Sequence, residues 1–371
     1  MTAYIFLIIY ILEQWNAIEH IDTPNTDTKA LTLGVSIIIP ARNESQNILA
    51  CINSILANDD ISVIEPQIIV IDDHSSDNTL EIVRNIESPY VQVLSLKIDK
   101  STDSSNAINA YKKAAINYGF KHCKNDFIIQ FDADTIVPPK YLSTILNYQS
   151  QYKGQFLAAP VKFEPCNKLI HHFQQLDIIG MMAVTAAGIH SKNWYMANGA
   201  NMCYMKKKVS FAATDIASGD DTYAIQNIAQ SEPEAIYYIK DKNAIVTTAP
   251  LDDYRSLYQQ RIRWSTKNKL MKGYKMQLMM LIPFINALVL MLHIPLMIYI
   301  GLPAFIFCLF HIISKLMIDY LYLREMSDFF DTKASMKYFL VSNIMHVIYL
   351  SGIGFLSLFV KKYNWKGRSV H

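Results

Sequence analysis

Val35-Ser-Ile-Ile-Ile-Pro-Ala-Arg-Asn-Glu44 is the stretch from which the rest of the chain is read. An apolar run rich in β-branched residues suits a strand covered on both faces, and this one stops abruptly at a polar turn. The pattern recurs twice. Gln67-Ile-Ile-Val-Ile71 runs into Asp72-Asp-His-Ser-Ser-Asp77, and Asp126-Phe-Ile-Ile-Gln-Phe131 runs into Asp132-Ala-Asp134. Tyr90 to Leu96 reads as a further strand. Asn43 to Leu56, Ser76 to Ile86 and Ala107 to Tyr118 have helical spacing. Such alternation predicts an α/β domain, with a mostly parallel, Rossmann-like sheet and helices on both faces. Open sheets of this kind bind ligands beyond the carboxyl ends of their strands, which is where the three polar clusters fall. Any one cluster also suits a turn or a helix cap. Packing alone does not call for all three.

Composition divides the chain. It has 371 residues, 51% hydrophobic and 18% charged, more apolar than an ordinary soluble domain. The excess lies in Ala3 to Leu12 and after Lys275. Residues 1–18 read as a membrane anchor, either a tilted span or a helix lying in the interface, since a span needs about 20 residues. They lack the basic start and small-residue cleavage site of a signal peptide. A polar linker follows to residue 33, and residues 34–275 hold the α/β domain. Residues 276–360 contain about three transmembrane helices, Met276 to Ile300, Leu302 to about Leu323 and Lys337 to Val360, with a charged loop from Arg324 to Lys333.

Arg255, Arg261, Arg263, Lys267, Lys269, Lys272 and Lys275 precede the first span, which places the domain on the cytoplasmic face of the cell membrane. The basic tail, residues 361–371, would also favour that face, and three spans do not return it there. Lys315 and Asp319, one turn apart in the second span, are either a relay or an ion pair near the membrane surface. A net charge of +2 gives no reason to expect nucleic acid as a partner. Five cysteines without C-x-x-C spacing predict reduced thiols rather than zinc ligands or disulfides.

Asp132 and Asp134 can converge on one hard divalent ion, Mn2+ or Mg2+, whose remaining positions take phosphate oxygens. Ser218-Gly-Asp-Asp221 offers a carboxylate as general base, or a cap for the helix that follows. In Gln260-Arg-Ile-Arg-Trp264, Gln260, Arg263 and Trp264 share one helix face. Arg suits phosphate oxygens and Trp suits a sugar ring, and the segment also reads as a basic interfacial helix. A dinucleotide-dependent oxidoreductase is discarded, because the turn after the first strand has no glycine.

The order Pro40-x-x-Asn43-Glu44, Asp72-Asp73, Asp132-x-Asp134, Asp220-Asp221 and Gln260-x-x-Arg263-Trp264 resembles the processive-type inverting glycosyltransferases of family 2. The resemblance covers about Val35 to Lys275 and implies the GT-A nucleotide-diphospho-sugar transferase fold with C-terminal membrane helices. It implies that Pro40, Asn43, Glu44, Asp72, Asp73 and Asp132 bind the nucleotide, and that Asp134 with Asp132 binds metal. Asp221 would be the catalytic base. Asp220, Gln260, Arg263 and Trp264 would hold the acceptor and the diphosphate. Asn198-Gly-Ala-Asn201 resembles the stretch beneath the acceptor, and is equally an ordinary turn. The chain departs from the family at Tyr111-Lys112-Lys113, where a glycine often precedes the lysines, and at Asp220, where Glu is commoner. The implied substrates are a nucleotide-sugar donor, usually a UDP-sugar, and a lipid-linked or glycan acceptor; partner subunits stay open. The alternative from another class is a catalytically silent nucleotide-binding subunit that scaffolds polysaccharide assembly.

Overall fold

The computed structural model describes residues 1–19, 30–96, 111–164, 167–209, 220–266, 273–356, 363–365 and 368–370. Ser218, Gly219, Cys166, the lysines at 267, 269 and 272, and much of the basic tail lie outside these residues. Two compact units are present. One comprises residues 1–18, 162–194 and 250–363, and the other 19–161, 195–249 and 364–371.

The second unit is built on a seven-stranded sheet. Its strands are β1 (Val35–Ala41), β2 (Gln67–Asp72), β3 (Val91–Ser95), β4 (Phe127–Gln130), β5 (Phe156–Ala158), β7 (Met202–Met205) and β8 (Ile236–Tyr238); a short β6 (Val161–Phe163) lies outside it. The order is β3-β2-β1-β4-β7-β5-β8. Only β7 runs against its neighbours. The mostly parallel sheet expected from the apolar runs is therefore present. Ile37 to Ile39, Ile68 to Ile71 and Phe127 to Ile129 are fully buried, each side chain contributing roughly 1.5–3 kcal/mol of transfer free energy. Pro40 is tolerated in a central strand because β4 pairs only as far as Ile38. Parallel register carries Pro40 alongside Ile71 and Ala41 alongside Asp72, so β1, β2 and β4 all discharge their loops at one sheet edge.

Two helices in this unit, α2 and α4, are shorter than the sequence spacing suggests, while the expected start of the next helix, residues 107–110, lies outside the described residues. α2 spans Ile48–Leu56 and α4 spans Thr79–Arg84; α3 (Ile61–Ile64) is a single turn. The residues before α2 and α4 form bonded loops instead. α5 covers Tyr111–His122, α6 Tyr141–Tyr152 and α8 Asp220–Ser231.

The first unit is helical. α1 (Thr2–Ala17) buries Tyr4, Ile8, Ile11 and Trp15, one face at spacings of four, three and four. Trp15 packs edge-on to Phe329 at 5.0 Å between ring centroids. α7 (Leu169–His190) is almost wholly buried. α9 (Tyr254–Thr266) follows, then α10 (Tyr274–Ile300), α11 (Leu302–Phe329) and α12 (Phe339–Leu356). Segments Tyr274–His293, Leu302–Phe329 and Lys333–Leu356 are long and apolar enough to cross a membrane. They expose many large apolar side chains, such as Leu281, Leu292, Phe305, Phe307, Phe310 and Ile344.

α11 runs six residues past its expected end, so Lys315 and Asp319 stand near the middle of the helix. They do form an ion pair. Asp319 Oδ1 also accepts from Tyr4 Oη at 2.7 Å, and Asp319 Oδ2 from Asn343 Nδ2 at 2.6 Å. Lys315 donates to Asn343 Oδ1 at 3.0 Å. All four residues are buried, and pairing the two charges with hydrogen bonds around them avoids the cost of a stray buried charge.

Candidate active site

The loops after β1 and β2 are laced together. Asn43 adopts φ 51°, in the left-handed region. Its amide donates to Ser75 Oγ at 3.0 Å, and its Oδ1 accepts from the Ser76 amide at 2.8 Å. The Glu44 amide donates to Thr79 Oγ1 at 2.8 Å and the Ser45 amide to Asp77 Oδ2 at 3.1 Å. Arg42 Nη1 donates to the Asp73 carbonyl at 2.7 Å. Asn43 thus serves as a loop lock, Asp72 accepts weakly from the Ser75 amide, and Asp73 Oδ1 lies 3.0 Å from His74 Nδ1, accepting from it when that nitrogen carries the proton. Asp72 and Asp73 are both buried.

Asp132 and Asp134 follow β4 at the same edge. Burial, then the neighbouring Asp132 and Glu44 carboxylates, push Asp134 up to about 6, against the hydroxyl of Thr248, which donates to its Oδ2 at 2.9 Å. The edge therefore carries an excess of negative charge on Glu44, Asp132 and Asp134. Lys112 Nζ meets Asp132 Oδ1 at 2.6 Å. Its neighbour Lys113 is buried, with its Nζ 5.7 Å from the centroid of the Tyr223 ring. Tyr223 belongs to the first turn of α8, two residues after Asp221. The lysine pair of α5 thus ties the end of β4 to the start of α8.

Asp221 is buried, and its Oδ1 accepts from the Thr222 amide at 2.7 Å. Asp220 opens α8. Asn198 to Asn201 form a turn in which Asn201 is a buried clamp. Its Nδ2 donates to the carbonyls of Pro160 at 2.8 Å and Ala244 at 2.9 Å, and its Oδ1 accepts from Tyr141 Oη at 2.6 Å.

Gln260, Arg263 and Trp264 lie on α9 in the helical unit. Leu257 anchors α9 against Ile170 and Phe173 of α7. Gln260 Oε1 is buried without a hydrogen-bond partner among the described residues. Arg261, expected as surface charge, is instead 2% exposed. A buried guanidinium requires a counter-charge, and Asp177 Oδ2 of α7 supplies it at 2.7 Å. Asp177 was not singled out from sequence. A lone acid within the apolar Leu169–His190 helix is the signal that could have found it. Lys112 likewise becomes interpretable only through its contact with Asp132.

The family model for glycosyl transferase family 2 matches residues 36–227. Undecaprenyl-phosphate 4-deoxy-4-formamido-L-arabinose transferase of Edwardsiella ictaluri is 29% identical over 118 residues, 32% of this chain and 34% of that protein. Poly-beta-1,6-N-acetyl-D-glucosamine synthase of Staphylococcus aureus is 23% identical over 243 residues, 62% of this chain and 54% of that one. The chain thus spans between about a third and about half the length of these curated relatives. Among solved structures, the mannosyltransferase PcManGT of Pyrobaculum calidifontis, in complex with GDP-Man and Mn2+, shares the fold with a TM-score of 0.52, covering 97% of both chains at 14% identity. Since the family model takes in more than half of the residues, the chain belongs to glycosyl transferase family 2.

Proposed function

We propose that this protein is a multi-pass membrane glycosyltransferase, its sheet unit cytoplasmic, that moves a sugar from a nucleotide-diphosphate donor to a lipid-linked or glycan acceptor with inversion. The observation that carries the reading is the delivery of Glu44, Asp72, Asp73, Asp132 and Asp134 to one edge of a parallel sheet. The named acceptor of the arabinose transferase, a polyprenyl phosphate, and the polymer made by the glucosamine synthase support the two acceptor classes.

Pro40, Asn43, Glu44, Asp72 and Asp73 frame the nucleotide. Asp132 and Asp134 suit a divalent ion, Mn2+ or Mg2+. Among the described residues no three His, Cys, Asp or Glu side chains form a closed cluster, and two carboxylates completed by substrate phosphates suit such an ion. Burial and then repulsion from Asp132 and Glu44 raise Asp134, and a cation would oppose both by favouring the charged carboxylate. A bound ion would stabilise negative charge on the departing diphosphate. Lys112, released from Asp132, offers a second positive charge to the same oxygens. Asp221 takes the proton from the acceptor hydroxyl as that oxygen attacks the sugar carbon, and inversion needs no other protein nucleophile. Asp220, Gln260, Arg263 and Trp264 hold the acceptor and diphosphate. The unpaired Gln260 Oε1 is ready to accept from a hydroxyl, since a buried acceptor left unpaired costs about 1–3 kcal/mol.

The test is a screen of radiolabelled nucleotide sugars with Mn2+ in detergent, followed by mass analysis of lipid products. Asp221→Asn should lower transfer by at least about 100-fold while nucleotide binding persists. Near-normal turnover in that variant refutes the assignment of the base. Nucleotide binding with neither transfer nor hydrolysis in the wild type would favour the silent scaffold subunit.

A further inference from the structure

We propose that Asp177 and Arg261 are positioning residues that set the ring of Trp264, and so the acceptor-binding face of α9. This rests on the reading of α9 given above.

Arg261 sits one turn before Trp264, and its guanidinium carbon lies 4.3 Å from the centroid of the Trp264 ring. The same carbon lies 5.6 Å from the ring of Tyr349 on α12. Both distances are within reach of a cation–π contact, strongest with Trp and stronger when desolvated. The group is buried and its charge is met by Asp177 Oδ2 at 2.7 Å. Asp177 Oδ1 is 4.0 Å from His346 Nε2, also on α12. Tyr349 in turn packs edge-on to Phe173 of α7 at 6.0 Å. The guanidinium therefore has a fixed counter-ion on α7 and a fixed aromatic neighbour on α12, both in elements separate from the motif. Its position is thus constrained by charge and by an aromatic ring from outside α9, and it lies against the indole of Trp264. Arg is the side chain for this task. Its planar group stacks and pairs at once, which an ammonium cannot do.

Arg261→Lys keeps the charge opposite Asp177 but removes the planar face. It should raise the KM for the acceptor roughly tenfold, with donor KM held within about twofold. Asp177→Asn should do at least as much, and Asp177→Glu should recover a substantial part. The probe is purified full-length protein in detergent, with undecaprenyl phosphate as acceptor and the donor found by the screen. A second readout needs no turnover. The Trp264 emission, isolated as the difference between each protein and its Trp264→Phe counterpart, should shift to longer wavelength in Arg261→Lys and Asp177→Asn. An unchanged Trp264 emission in both variants overturns the proposal, as do donor and acceptor constants that move in parallel. If the wild type transfers nothing, the assigned activity fails, and the emission experiment still decides whether the pair sets the ring. If Asp177→Asn does not fold, Arg261→Lys carries the test.

Discussion

Asp319→Ala is the perturbation whose cost the structure fixes most directly. The substitution leaves the Lys315 ammonium, the Tyr4 hydroxyl and the Asn343 amide without their shared acceptor. All three sit in the buried middle of the helical unit. Breaking a buried pair by removing one partner costs about 3–5 kcal/mol, because the surviving charge is uncompensated. At roughly 2–4 °C per kcal/mol for a unit of this size, the melting temperature should fall by about 10 °C. The assay is thermal unfolding in detergent, alongside the double variant Lys315→Met with Asp319→Leu. That pair removes both charges together and should restore most of the loss, since apolar replacement of a buried pair is often neutral or stabilising. A single variant melting within about 2 °C of the wild type, or a double variant no better than the single, would refute a desolvated, mutually satisfied cluster.

Lys112→Met should cost under about 1 kcal/mol in denaturant unfolding, because the Lys112–Asp132 pair is partly exposed; kcat/KM should nevertheless drop more than about tenfold if the lysine serves the diphosphate. Asn201→Ala should destabilise the sheet unit by about 2–4 kcal/mol, read by chemical denaturation, since two carbonyls and a hydroxyl lose their partner. Burial pushes the Asp77 carboxyl up, but the hydroxyl and amide of Thr79 and the amide of Ser45 outweigh it and hold it at about 2. Its folded value lies below the ordinary value of about 3.9, so its contribution is complete above pH ~4 and is lost as pH falls through ~2. Asp77→Asn should flatten the acid limb of the stability curve in that window, by about 1 kcal/mol after allowance for solvent screening.

The strands were legible because β1, β2 and β4 are unbroken apolar runs, and burial on both faces admits little else. The sheet edge was legible for the same reason, since parallel runs ending in acids can only deliver them together. Loop interiors were not. Asn43 and Glu44 look like the start of a helix by composition, yet the left-handed turn at Asn43 and its bonds to Ser75 and Ser76 keep α2 from beginning before Ile48. The end of α11 was misplaced because Arg324 and Glu325 read as a loop, while the helix carries them on to Phe329. The Asp177–Arg261 contact joins positions far apart in the chain, and periodicity within either helix is silent about a partner on another.

The Lys315–Asp319 pair bears on how the helical unit is made. Tyr4 emerges from the ribosome more than three hundred residues before the carboxylate it will serve. α11 does not have to wait for it. Lysine and aspartate one turn apart cancel within their own helix, which lowers the cost of placing either charge in apolar surroundings. The tyrosine hydroxyl thus fastens α1 to a carboxylate whose charge is already balanced within its own helix.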